Sequence, residues 1–536
     1  AAFGLMTFDY VVVGGGTAGC VLASRLSENP SCQVLLLEAG PRYRGLSIQV
    51  PGAVGQLYLK GKYHWDYRCE PETHASGRSL PYKMGRILGG SSAINGMMWV
   101  RGNSADFDGW ATSGCNGWSY SDIEPLFRRI ESFSDPTDPY MGHSGPIKVT
   151  ADDPAVSPLN VAFLNAAEQA GYPLNQNYNG PIQEGFGAMH RNTDEGRRSD
   201  VYAGYLQPAL KRPNLTVLTG VQVERVMIDG TRATGIVISD DKQRQTITAT
   251  EEILIAAGAI ASPQLLQLSG IGSPEHLESL GIPIVHDLPG VGENLHTHVL
   301  ISLVFQCSQP ASVYPATRFP GNLLAGLQWL ISKTGAAATT HMDVGGFLKT
   351  DSGSPAPNLQ CTFMPLAFGD LYTDFGGHGF QIWGDLVAPK SRGSVKICDT
   401  DIKVNPKFRF NFLRDNDDLL ALRSGYEILK DLSHQKAFAE FMGKEINPGP
   451  RITSTGDIEP WIRETFSVSH HLAGTCRMGP SSDPLTVVTP ELKVNGLERL
   501  RIVDASIMPI VTRGNTHAPV IMIAEKAADM IHHDQR

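Results

Sequence analysis

"FDYVVVGGGTAGCVLASRLSENPSCQVLLLEAG", residues 8–40, decides the fold. A β-branched run ending at Val13 passes directly into GxGxxG, with Gly14, Gly16 and Gly19 at the three glycine positions. Helical spacing follows, and a second apolar run closes on Glu38. This is a complete βαβ unit. Its glycines allow a tight turn and close approach to a pyrophosphate, and the helix that opens at Thr17 and Ala18 offers unpaired N–H groups and the positive end of its dipole. Glu38, about 20 residues beyond the glycines and followed by Ala39, is placed to accept hydrogen bonds from a ribose diol. The pattern predicts a dinucleotide site without separating FAD from NAD.

Working outward, 536 residues exceed what one hydrophobic core usually supports, so two domains are expected. A net charge of -9 argues against nucleic acid or an anionic membrane as partner and favours a small molecule. The eight cysteines are scattered with no CxxC pair, so neither a disulfide framework nor a metal site is expected. The apolar run from Ile253 carries Gly, Ser, Gln and Pro263 and reads as strand, turn and helix start, not as a membrane span. Met6 reads as a natural start preceded by a short added remnant, which implies a cytoplasmic protein. If Ala1 is instead an end left by processing, a periplasmic or secreted protein would follow.

"GRILGGSSAINGMMWVRGN", Gly85 to Asn103, is too rich in glycine and serine for a simple helix start, and backbone amides around Gly89, Gly90 and Ser91 suit a phosphate or a flavin edge. Here the sequence resembles the glucose–methanol–choline (GMC) family of FAD-dependent oxidoreductases. Further matches follow at "GAIASPQLLQLSGIG" from Gly258, "HLAGTCRMG" from His471, "LRIVDASIMP" from Leu500 and "GNTHAPVIMIAEKAADMI" from Gly514. The resemblance implies an α/β (α+β) two-domain fold. A Rossmann-like FAD-binding domain from 1–150, 195–300 and 464–536 is interleaved with a substrate domain from 151–194 and 301–463 that contains an antiparallel sheet. "NLQCTFMPLAF", "GFQIWGDLVAP" and "GSVKI" read as strands of that second domain, and the run from Asp415 reads as an amphipathic helix with an aspartate-rich start.

Oxidising an alcohol removes a proton from oxygen and a hydride from carbon. Histidine suits the first task because its ordinary pKa lies near neutral pH, and the second needs a cofactor. By resemblance the catalytic histidine opens the HxxGTC pattern, at His471, as proton acceptor, and the second catalytic position falls at His517 in "GNTHAP", also a cofactor contact, as the partner that hydrogen-bonds the substrate oxygen; the sequence leaves open which of the two takes the proton. His470 is expected on the pocket wall. Trp461 and Phe363, with Trp329, His341 and Trp383, are further pocket candidates.

The resemblance assigns cofactor contacts to Arg86, Asn95, Gly96, Met97, Val223, Ala257, Asp504, Ala505 and Pro519, with Val221 as an alternative to Val223 and Asn515 beside the flavin ring. Two departures from the family pattern stand out. Ile94 fills the slot where some members carry the histidine that binds FAD covalently, so non-covalent FAD is expected. Thr297 replaces the acid of the usual "NLQDH", here "NLHTH". The expected reaction is FAD-dependent oxidation of a primary alcohol, polyol or sugar-like alcohol, with dioxygen or a dye- or quinone-like compound as acceptor. A hydroxynitrile lyase on the same fold is the alternative, and self-association into a homodimer is left open.

Overall fold

The sheet that the amino-terminal motif opens has seven strands. The computed structural model describes residues 6–239, 244–369 and 374–534; the expectation about Ala1 lies outside them. Met6–Val13 passes through the glycines into the helix Thr17–Leu26 and returns along Val34–Glu38, whose five residues are all buried. Burial on both faces explains why these strands read as continuous apolar runs. The strand order is Leu215–Thr219, Val34–Glu38, Met6–Val13, Arg244–Ile255, Arg232–Ser239 and Gln222–Asp229, and Leu500–Ile502 adds in parallel to the end of Arg244–Ile255. The first four strands are parallel, so the carboxyl ends of the central ones open at one edge. In such sheets ligands bind at that edge.

The carboxy-terminal helix His517–Asp534 packs against Thr17–Leu26. Glu525 on this helix is fully buried, yet it accepts hydrogen bonds from Arg25, Arg129 and Tyr205. A buried acid held this way is stable only while its partners remain. It therefore ties three distant segments of the chain to the dinucleotide unit.

The second large sheet is antiparallel, in the order Met442–Asn447, Val299–Cys307, Gly379–Leu386, Leu359–Met364, Val344–Leu348 and Gly185–Ala188, with Ser467–Val468 added beside Val299–Cys307. The helix Asn416–Ser433 covers one face, starting where the Asp415 side chain accepts from the Asp417 N–H (3.0 Å). "GSVKI" forms a strand as expected, but Gly393–Lys396 pairs with Lys407–Arg409 and Glu293–Leu295 in a separate three-stranded sheet. The hairpin His64–Arg68 and Pro81–Gly85 lies within 1–150, yet its Tyr67 and Tyr82 pack in the core of the second sheet. No described helix is long and apolar enough to cross a membrane.

Candidate active site

A cavity of about 1330 Å³ runs from the carboxyl edge of the parallel sheet to the uncovered face of the antiparallel one. At the first end it is lined by Gly14, Gly16, Thr17, Ala18, Glu38, Ala39, Val221, Val223 and Ala257. Gly90, Ser91, Asn95, Gly96, Met97, Asp504 and Ala505 follow towards the middle. Four expected contacts lie outside this lining. Gly19 acts in packing, since a Cβ there would stand 1.8 Å from the Gly14 carbonyl oxygen. The Gly89 N–H donates to the Gly15 carbonyl (2.7 Å), Arg86 stacks its guanidinium over Trp65, and Pro519 is buried in the carboxy-terminal helix.

The lining fits a dinucleotide. A Cβ on Gly16 would meet nothing closer than 3.8 Å and would project into the groove, which is the space a phosphate needs. Glu38 accepts from the N–H groups of Gly15 (2.9 Å) and Gly40 (2.7 Å), and burial raises its pKa to about 7. A desolvated carboxylate at the groove is suited to receive hydroxyl donors. Asp504 is fixed by donors from Gly258, Ser262 and Ser506, which holds its backbone against the groove.

The histidines stand at the other end. Strand Ser467–Val468 pairs with Val299 and Leu300, and beyond it the chain continues beside residues 294–298, with hydrogen bonds from Ser469 to His298 and between His296 and Ala473. This pairing brings His298 against His471, Nδ1 to Nδ1 at 2.9 Å. The Asn515 amide donates to His471 Nε2 (3.1 Å), and its own oxygen accepts from Gln360 (3.1 Å), which fixes the amide's orientation. Nε2 therefore carries a lone pair, and Nδ1–H of the neutral ring donates to His298. Burial, with His298 and His470 nearby, holds the His471 pKa well below its usual value, and burial lowers His298 to about 3. Both rings are neutral at pH 7.

Thr297, the departure in "NLHTH", serves this turn. Its hydroxyl donates to the Ser469 carbonyl (2.6 Å) and accepts from the His471 N–H (3.2 Å). A hydroxyl can do both, whereas a carboxylate can only accept.

His517 also lines the cavity, but the two ring nitrogens of His471 are taken by His298 and Asn515. His471 thus meets Asn515 directly, while the role expected of His517, to hydrogen-bond the substrate oxygen, needs a place on the cavity wall, and it has one. The backbone enters the carboxy-terminal helix at His517, which turns that ring edge-on to Trp99 at 5.8 Å between centroids. His470 lines the cavity as expected and packs against Tyr58 and Tyr82.

Strand alternation sorts the remaining candidates. Leu300, Ser302 and Val304, then Gln360, Thr362 and Met364, then Gln381, Trp383 and Asp385 face the cavity. Their neighbours Leu303, Cys361, Phe363 and Ile382 face the helix-covered core. Phe363 is fully buried and stacks on Phe163, and Trp461 is buried against Tyr426, so neither reaches the pocket. Trp329 is buried and donates to the Gly196 carbonyl, whereas His341 and Trp383 do line the cavity. Sequence reasoning missed His298 and Gln360. The "NLHTH" match held a signal for the first, and nothing local marks the second.

Models of the GMC oxidoreductase family match residues 8–300 and 389–524. This chain is a GMC oxidoreductase. Among curated relatives it is 41% identical over 527 residues to the oxygen-dependent choline dehydrogenase of Photobacterium profundum, covering 98% of this chain and 93% of that one. It is 42% identical over 531 residues to the Burkholderia pseudomallei protein of the same name, with the same two shares. Among solved structures, pyridoxine 4-oxidase from Mesorbium loti superposes with a TM-score of 0.88 at 29% identity, covering 98% of this chain and 99% of that one. A formate oxidase from Aspergillus oryzae gives 0.92 at 27%, covering 99% of each chain. As a GMC oxidoreductase the protein is an FAD-dependent flavoenzyme that oxidises the CH–OH group of alcohols. These relatives and neighbours are oxidoreductases, and the lyase alternative gains no support from them.

Proposed function

We propose that this enzyme oxidises a small primary alcohol, with His471 taking the hydroxyl proton and Asn515 holding the oxygen. The observation that carries this reading is the 3.1 Å contact between the Asn515 amide and His471 Nε2, facing a cavity continuous with the dinucleotide groove. A substrate hydroxyl entering between them would donate to Nε2 and accept from the amide, and the same amide would stabilise the oxygen as its negative charge develops. His298 receives Nδ1–H and so keeps the lone pair on the nitrogen that faces substrate. Gln360 keeps the Asn515 amide turned the right way. FAD, when bound, supplies the hydride acceptor. His517, next to Trp99 and lining the middle of the cavity, serves the cofactor.

Ile94 lines the cavity and offers no nucleophile, which supports non-covalent FAD. Dioxygen is the proposed acceptor, in keeping with the names of the relatives, and choline, which those names contain, is the first alcohol to try. The test is anaerobic mixing of the holoenzyme with alcohols, followed by air. Bleaching of the flavin absorbance and its return with hydrogen peroxide are expected; persistent colour with every alcohol would sink the reading.

A further inference from the structure

The cavity face of the antiparallel sheet carries one carboxylate, Asp385, and it is 7% exposed. Its Oδ1 accepts from the Ser469 hydroxyl, and among the described residues no lysine, arginine or histidine pairs with it. Oδ2 has no hydrogen bond among the described residues and is not sealed from the cavity. Burial without a cation raises its pKa to about 7, opposed only by Ser469. A carboxylate so placed needs either a proton or a positive partner.

Its position relates it to the reacting end. Asp385 is the cross-strand partner of Gln360, whose amide holds Asn515. Directly opposed side chains on one sheet face start about 5 Å apart. The carboxylate thus stands one residue removed from the His471–Asn515 pair. Trp383, two residues earlier on the same face, has its indole N–H tied to Gln381 (3.0 Å) and its ring set edge-on to Phe368. An indole next to a carboxylate is a favourable surface for a compact cation.

We propose that Asp385 anchors the positively charged end of the substrate, so that the enzyme selects alcohols joined by a short link to an ammonium group. This rests on the assignment of His471 and Asn515 as the pair that receives the hydroxyl. An ammonium ion would supply the charge that the fold withholds from Asp385, and it would fix the hydroxyl towards His471.

The test compares the holoenzyme with Asp385→Asn and Ser469→Ala. Anaerobic flavin reduction and kcat/KM are measured with choline, with dimethylaminoethanol, and with the neutral isostere in which a tert-butyl group replaces the ammonium. The wild type should prefer both cations over the isostere by about a hundredfold or more, as for a buried charge pair that loses one partner. In Asp385→Asn that ratio should collapse, mainly through KM, while Ser469→Ala should keep it, because the carboxylate remains. A ratio left intact in Asp385→Asn, with all three alcohols slowed alike, would overturn the proposal and leave Asp385 as a positioning residue for the His471 turn. No cation preference in a wild type that does reduce its flavin would overturn it too, with the alcohol reading standing. A flavin that no alcohol reduces would remove both.

Discussion

Asn515 reaches His471 Nε2 at 3.1 Å from the loop before the last helix, while His517, two residues on, belongs to the helix and turns to Trp99. Two residues of one short motif thus make different contacts in one cavity. Replacing His471 by Ala should slow flavin reduction by a factor on the order of a hundred to ten thousand, and Asn515→Ala by about a hundred to a thousand, with flavin retained. His517→Ala should cost less rate than either. Stopped-flow reduction of the three variants decides it, and a His517 variant as slow as the His471 one beside a near-normal Asn515 variant would reverse the assignment.

Gly16→Val should fold and lose its flavin. A Cβ at this position stands at least 3.8 Å from all but its neighbours in the chain, and Gly16 lines the groove, so the clash falls on the cofactor. Purified protein with an ordinary circular dichroism spectrum but little visible flavin absorbance is expected. Full flavin content would contradict the placement of the pyrophosphate.

The pH dependence follows from the buried rings. Because burial lowers the His298 pKa to about 3, the unfolded chain binds a proton near the ordinary value of about 6.5 while the folded one does not. Stability is therefore complete above that value and falls as the pH drops towards 3. His298 alone should account for about 2 kcal/mol of loss at pH 5, read as a lower urea midpoint, and part of this slope should vanish in His298→Asn. Since His471 is also held neutral below its usual pKa, flavin reduction by a neutral alcohol should stay level between about pH 8 and 6 instead of halving near 6.5. A half-loss at that point would mean His471 titrates normally.

Phe363→Ala should lower stability by about 3–5 kcal/mol and leave KM for the alcohol nearly unchanged. The ring stacks on Phe163 and packs near Phe380 and Phe438, away from the cavity. Calorimetry and steady-state kinetics on one preparation separate the two effects. A large rise in KM without loss of stability would return Phe363 to the pocket.

The dinucleotide half of the fold was legible because its signals are local: strand, glycines, helix and Glu38 follow one another within residues 8–40. The site was legible where a motif marked it, as at His471. It was not where a contact depends on long-range pairing, since Gln360 meets Asn515 across 155 positions and His298 meets His471 across 173. Phe363 and Trp461 were misplaced for a different reason. Being aromatic in a substrate-side segment does not tell which face of a strand or helix a side chain takes, and that face is set by register with neighbours far along the chain.

That register has an evolutionary consequence. In three strands the side chains at 300, 302 and 304, at 360, 362 and 364, and at 381, 383 and 385 form a panel on the cavity side, outside the aromatic core on the other face. Apart from Gln360, which holds Asn515, this panel can change by single replacements that shift substrate range without opening the aromatic core. A one-residue insertion in any of the three strands would instead exchange panel and core, and such lineages would be lost.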